Sequence, residues 1–218
     1  MIEVYGAGHG SNTPGKCSPD GKFKEYSYAR EIVRAIVAKR KAEGYNAVEL
    51  VPEEYDVSLA ERCRRVNALC DKHGKQNVIY ISVHVNAAGG DGKWKTAGGW
   101  SVWTSPGKTQ ADVLANHLWY AAQTALTPYA NRFPVLKERG AYDRKQVPMR
   151  ADWSDGDPDY EARFYVLIHS KCPAVLTESL FQDNKADVDF LTSSEGKRAI
   201  VNLHCNGVQS YLNSLKKR

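Results

Sequence analysis

Three residues of catalytic type stand at the ends of apolar runs in this chain. His9 follows "IEVY" in the stretch "VYGAGHGSN", His84 lies at the end of "NVIYISVHV", and Glu178 lies at the end of "PAVLTES". In open α/β sheets, sites gather outside the carboxyl ends of the strands, so all three point to one sheet edge. Glu25, in "FKEYSYAREIV", sits where a loop turns into a helix, and a carboxylate there can face the same edge. Two imidazoles and a carboxylate make up a common donor set for a catalytic zinc, which takes three protein ligands and keeps one position open. Ser82 and Asn86 share the face of His84 by period two, where they could fix the imidazole or contact a substrate. Asn86 is the candidate substrate contact.

Other chemistries and plainer roles compete for these residues. The glycines around His9 invite a phosphate-loop reading, but the stretch has neither a GxxxxGK[ST] pattern nor a true GxGxxG, and no helix follows directly. Glycines there also let the backbone turn sharply and leave the imidazole unobstructed. A strand-end histidine is commonly a hydrogen-bonded structural residue. Glu25 is favourable in a first helical turn through the helix dipole alone, and Glu178 could be satisfied by helix N-termini. Glu53 and Glu54 compete with Glu25 but lie in a proline-started loop and read as surface residues. His73, His117, His169 and His204 lack strand-end context and receive no role. Spacing alone leaves the zinc site and the structural reading both open.

The elements that must position these residues follow from periodicity. Strands are expected at 2–5, 46–51, 77–85, 98–105 and 173–179. The apolar stripe Ala29, Ile32, Val33, Ile36 and Val37 marks a helix that stops at Gly44. Ser58 and Glu61 form a capping-box pattern that opens a second helix, and Gly74 closes it. Helices are expected near 108–126, 160–170, 185–193 and 195–214. Residues 128–159 are polar and turn-rich and read as a long surface excursion near the site. Trp100, Trp103, Tyr142 and Trp153 are candidates for a substrate wall or for a small satellite core. Alternating strands and helices give an α/β fold: three layers, with a central, mostly parallel (mixed) sheet flanked by helices.

The chain of 218 residues fits one domain over 1–218, with 128–159 as an insertion-like segment and little room for a second domain. The formal charge of +5 is spread along the chain, with no nucleic-acid-binding signature. Five cysteines without a CxxC argue against a disulfide framework and read as reduced thiols; Cys63 and Cys70 share a helical face. No apolar run reaches the roughly 18 residues of a membrane span. No signal peptide opens the chain, so synthesis in the cytoplasm is expected.

Taken in order, "GHG…TPGK.SPDG.FKEYSYAREI", "SLAERCRRVNAL", "ISVHVNA" and "PAVLTESLFQDN" resemble the zinc-dependent N-acetylmuramoyl-L-alanine amidases of the amidase_3 type, peptidoglycan hydrolases of bacteria and phages. The resemblance implies Zn2+ held by His9, Glu25 and His84, with Glu178 as the catalytic acid/base. It implies hydrolysis of the amide joining N-acetylmuramic acid to L-alanine, with the bacterial cell wall as partner. The chain departs from the pattern at Gly10-Ser11, at Val83 and Val85 beside His84, and at Ser179-Leu180, where a glycine is usual. The alternatives are a zinc endo- or carboxypeptidase acting on the stem peptide, or a non-catalytic wall-binding module. Without a signal peptide, a phage or prophage endolysin released by a holin fits, as does a hydrolase freed by mother-cell lysis.

Overall fold

A computed structural model describes residues 1–133 and 148–216. Six strands, β1 (Ile2–Ala7), β2 (Asn46–Glu49), β3 (Val78–Asn86), β4 (Ser101–Thr104), β5 (Tyr160–Glu161) and β6 (Ala174–Phe181), form one sheet in the order β2-β1-β3-β6-β4-β5. The neighbours β1/β2, β1/β3, β3/β6 and β4/β5 run parallel, and β4 runs antiparallel to β6. The helices are α1 (Glu25–Ala42), α2 (Leu59–His73), α3 (Gln110–Leu126), α4 (Tyr165–His169), α5 (Lys185–Thr192) and α6 (Ser194–Leu215). The expected three-layer α/β arrangement with a mixed sheet is therefore the one observed.

Period-two alternation decides which layer each strand residue joins. Ile79, Ile81 and Val83 of β3 pack with Ile32, Ile36, Leu118 and Leu203 of α1, α3 and α6. Val78 and Tyr80 pack on the other face with Cys63, Val66 and Cys70 of α2. By the same parity Ser82 and His84 continue the α2 face to the carboxyl edge of the sheet. The parity then breaks: pairing between β3 and β6 shifts register between His84 and Asn86, and Leu180 adopts φ 64°. That positive φ turns Leu180 into the core shared with α1 and α6. The left-handed conformation favours glycine, which accounts physically for the departure at Ser179-Leu180: here a buried leucine takes it.

Buried charge appears at the opposite end of β1. Arg40 on α1 donates Nε to Glu3 Oε2 at 2.9 Å and Nη2 to Oε1 at 2.7 Å, and both side chains are almost wholly buried. Such a pair costs desolvation, and its forked geometry and the Tyr5 hydroxyl at 3.0 Å satisfy it.

Some local expectations change. Residues 160–170 do not form one helix: the two-residue β5 first extends the sheet beside β4, and only then does the short α4 begin. Ser58 Oγ accepts from Glu61 N, but Glu61 turns its carboxylate to Arg64 and Arg65 instead of back to the cap. Residues 134–147 of the expected excursion, Tyr142 among them, lie outside the described residues. All five cysteines are free, and Cys63 and Cys70 are buried together on α2. Among the described residues no helix is long and apolar enough to cross a membrane.

Candidate active site

Three elements bring three side chains to one point. β1 ends just before His9, β3 carries His84, and α1 begins at Glu25. Glu25 Oε1 lies 3.6 Å from His9 Nε2 and 3.2 Å from His84 Nδ1. The two imidazoles meet edge to face with centroids 5.1 Å apart. The same Glu25 oxygen accepts from the Val85 backbone N–H at 3.1 Å. Burial favours the neutral form of Glu25, but the hydrogen bond and charge of His84, with His9 behind it, outweigh burial and hold the carboxyl below its usual range. Burial lowers His9 to about 4 against the opposing pull of Glu25, so its imidazole is neutral near neutrality and has a lone pair to give.

The backbone of His9 is held in an unusual state. Its φ is 52°, and no residue other than it and Leu180 combines a positive φ with a side chain among the described residues. Two arginines maintain it. Arg30 on α1 donates Nη2 to the His9 carbonyl at 2.9 Å, Nη1 to that of Gly8 at 3.4 Å, and Nε to that of Glu53 at 2.7 Å. Arg62 on α2 donates to the carbonyls of Ala7, His9 and Val57. Both guanidiniums are buried, and between them they satisfy the carbonyls of 7, 8 and 9 from opposite layers. Sequence reasoning missed them because an arginine in a helix reads as a solvated face. The glycines have a packing reason: a Cβ on Gly8 would lie 2.4 Å from His84 Nδ1, and one on Gly10 would lie 2.0 Å from Asp56 N.

Glu178 stands directly across from His84 in the β3/β6 register. Its Oε2 is buried without a hydrogen-bond partner. Burial, then the charge of Glu25, push its carboxyl well above the usual range, with Lys16 working against them. His9, His84 and Glu178 line one cavity of about 520 Å³, together with Lys16, Asp56, Arg62, Phe164 and Tyr165. Asn86 is not among the residues lining it: past the register shift its Oδ1 accepts from the Ala87 N–H. The aromatic wall comes from Phe164 and Tyr165. Trp100 is fully buried, Trp103 stacks on Tyr160 at 4.7 Å, and Trp153 meets Trp119 at 5.7 Å. Glu53 pairs with Arg65 at 2.6 Å, and Glu54 is exposed.

The donor set fits a metal ion. One ligand atom each from His9, Glu25 and His84 lies within 4.8 Å of the others. Glu25 Oε2 is buried and without a partner. His84 also presents Nε2 to Ser82 Oγ at 3.1 Å, so Ser82 can take up the proton-bearing nitrogen when Nδ1 serves as a ligand. The two-histidine, one-carboxylate chemistry suits a zinc of the catalytic kind.

The family model for Amidase_3, N-acetylmuramoyl-L-alanine amidase, matches residues 4–210. The chain belongs to this amidase family. The match spans His9, Glu25, His84 and Glu178 together. The chain is 27% identical over 216 residues to an endolysin of Bacillus phage SPP1, covering 97% of this chain and 66% of that protein. The chain thus spans about two thirds of the endolysin's length. It is 22% identical to the sporulation-specific N-acetylmuramoyl-L-alanine amidase of Bacillus subtilis, covering 100% of this chain and 70% of that protein. The fold is similar to the catalytic domain of the amidase CwlV from Bacillus (Paenibacillus) polymyxa, with a TM-score of 0.72, 17% identity and 98% of each chain covered. It is equally similar to an amidase from Clostridium difficile 630, with a TM-score of 0.72, 22% identity and the same coverage.

Proposed function

We propose that this chain is a zinc-dependent peptidoglycan hydrolase that cleaves the amide between the lactyl group of N-acetylmuramic acid and L-alanine. The convergence of His9, Glu25 and His84 at one point, with Glu178 opposite His84 in the same cavity, carries the reading. His9, Glu25 and His84 would hold the zinc, and an ion bound there supplies Lewis acidity to water and to the scissile carbonyl. The charge of an ion held there would offset the burial and the Glu25 charge that raise the Glu178 carboxyl, leaving Glu178 ionised to take the proton of the attacking water and then to deliver one to the leaving nitrogen, base first and acid second. Its partnerless Oε2 is free to do both. Ser82 orients the His84 ring, and Arg30 and Arg62 keep His9 turned into the site. Phe164 and Tyr165 provide an apolar wall along which a peptide can lie.

The site acts on an extracellular polymer, and synthesis in the cytoplasm followed by release, through a holin or on lysis of a mother cell, is the accompanying proposal. Digestion of purified peptidoglycan tests the bond specificity. New L-alanine amino termini without new reducing sugars are expected. Release of D-alanine, or of amino termini from inside the stem peptide, contradicts it.

A further inference from the structure

We propose that Cys70 and Cys172 are a latent disulfide pair, which a small disulfide oxidant closes in the folded protein and which then fastens α2 to the start of β6. The proposal goes beyond the amidase reading and does not depend on it. It follows from what the far end of α2 packs against. Cys63, Val66 and Cys70 belong to the buried stripe of α2. Asn67, Cys70 and Asp71 are three and four residues apart and so are neighbours on the helix surface. They meet the segment 169–172. Asn67 Nδ2 donates to the His169 carbonyl at 2.9 Å, and Asn67 Oδ1 accepts from the Lys171 N–H at 2.8 Å. Asp71 pairs with Lys171 at 2.5 Å. Between these polar anchors the Cys70 and Cys172 thiols are in hydrogen-bond contact with each other.

Both cysteines are buried in one apolar cluster with Val66, Val78 and Ala174, yet they are not equally enclosed. Cys172 lines a cavity of about 630 Å³ beside Lys75, Lys171 and Pro173, and Cys70 is not among the residues lining it. An oxidant in that cavity therefore meets Cys172 first. The Cys172 thiolate attacks one sulfur of the oxidant, whose S–S bond breaks and releases one thiol. A mixed disulfide is left on Cys172. The Cys70 thiolate, already in contact, attacks the Cys172 sulfur and expels the second thiol. The two cysteines are oxidised, and the oxidant is reduced to two thiols that carry the two protons away. Burial, the largest influence on each thiol, pushes both up, so closure is slow near neutrality and quickens as pH rises. The bridge closes a loop of about a hundred residues, a length at which such a link restrains the unfolded chain strongly. α2 presents Arg62 to the His9 carbonyl, and β6 carries Glu178. The bridge thus joins these two elements at the edge of the sheet away from the site.

The experiment treats the folded protein with 2-hydroxyethyl disulfide at about pH 8.5, where an ordinary thiol is half ionised. Remaining thiols are alkylated in denaturant, and the cysteines are mapped by mass spectrometry without reduction. A peptide pair joined through Cys70 and Cys172 is expected, lighter by the two hydrogens lost and separated again by dithiothreitol. The midpoint of thermal unfolding should rise by about 5–10 °C in the bridged protein. Cys172→Ser should lose both the joined peptide and the shift. Cys205→Ser, which removes a buried thiol elsewhere, should keep both. The mapping of the wild type stands whether or not these variants fold. If Cys70 and Cys172 both remain thiols, they are merely packed together and the proposal is overturned; an adduct on the part-exposed Cys17 shows that the oxidant was active. An adduct that stays on Cys172, or a bridge that joins Cys63 instead, overturns it equally. An unchanged midpoint in the bridged protein would overturn the fastening of α2.

Discussion

Arg62, on the second helix, donates to the carbonyl oxygen of His9 across 3.2 Å, at the end of the first strand. With Arg30 on the opposite layer it holds a histidine backbone at a positive φ that a side chain rarely adopts. Strain of this kind persists only where the surroundings over-determine it, and it clusters at functional sites. Arg62→Met should weaken zinc binding by about tenfold, the lower end of what loss of a ligand-orienting partner costs. Removing a cation from beside a dication would by charge alone strengthen binding, so a weakening isolates the positioning role. Competition with a chromophoric chelator measures it, and an unchanged or higher affinity would show that His9 holds its place without Arg62.

Glu178 is assigned to proton transfer and not to metal binding, and the two roles separate experimentally. Glu178→Gln keeps the shape and removes the base. It should retain one zinc per chain by elemental analysis while kcat falls by about 10²- to 10⁴-fold. Near-normal turnover would remove Glu178 from the mechanism, and loss of the metal would make it a ligand.

At the far end of β1, the buried Glu3–Arg40 pair is a stability element with no part in the chemistry. Arg40→Met leaves an uncompensated carboxylate in the core and should cost about 3–5 kcal/mol in urea unfolding. Adding Glu3→Leu to it should recover much of that loss, because the stranded charge goes with it. A single variant as stable as the parent would mean that water reaches Glu3.

Asp159 gives the stability a pH dependence. It is buried, accepts from the Thr104 hydroxyl at 2.5 Å, and faces Asp157 with Oδ1 unpartnered. Burial first, then Asp157, push its carboxyl up to about 8. Between roughly pH 4 and that value the folded protein keeps a proton that the unfolded chain has lost. Stability therefore falls as pH rises through this window, by up to about 1.4 kcal/mol per pH unit for one proton. Asp159→Asn places an uncharged donor against Asp157 and should flatten the decline. Denaturation curves between about pH 5 and pH 8 measure it, and an identical slope in the variant would assign the pH dependence to other groups.

The positions of His9, His84 and Glu178 at strand ends were legible because strand ends on one edge are a property of the connectivity, which the alternating pattern shows. Glu25 was legible as a helix start. The arginine clamp was not, since nothing local distinguishes a guanidinium that turns inward to carbonyls 53 residues away from one in solvent. The position of Asn86 relative to the cavity was not legible for a different reason. Period two holds only while the ladder is regular, and the shift after His84 breaks it. The same shift leaves Leu180 with a positive φ, a state that pattern reasoning does not assign to leucine. The helix expected over 160–170 failed because two residues of β5 satisfy the free edge of β4 before α4 can begin.

The most direct test is mass spectrometry of peptidoglycan digested by protein stripped with a chelator, and by the same protein after zinc is returned. Fragments bearing new L-alanine amino termini should be absent from the first digest and restored in the second. The same fragments in equal yield from both digests would contradict a metal held by His9, Glu25 and His84 as the basis of the activity.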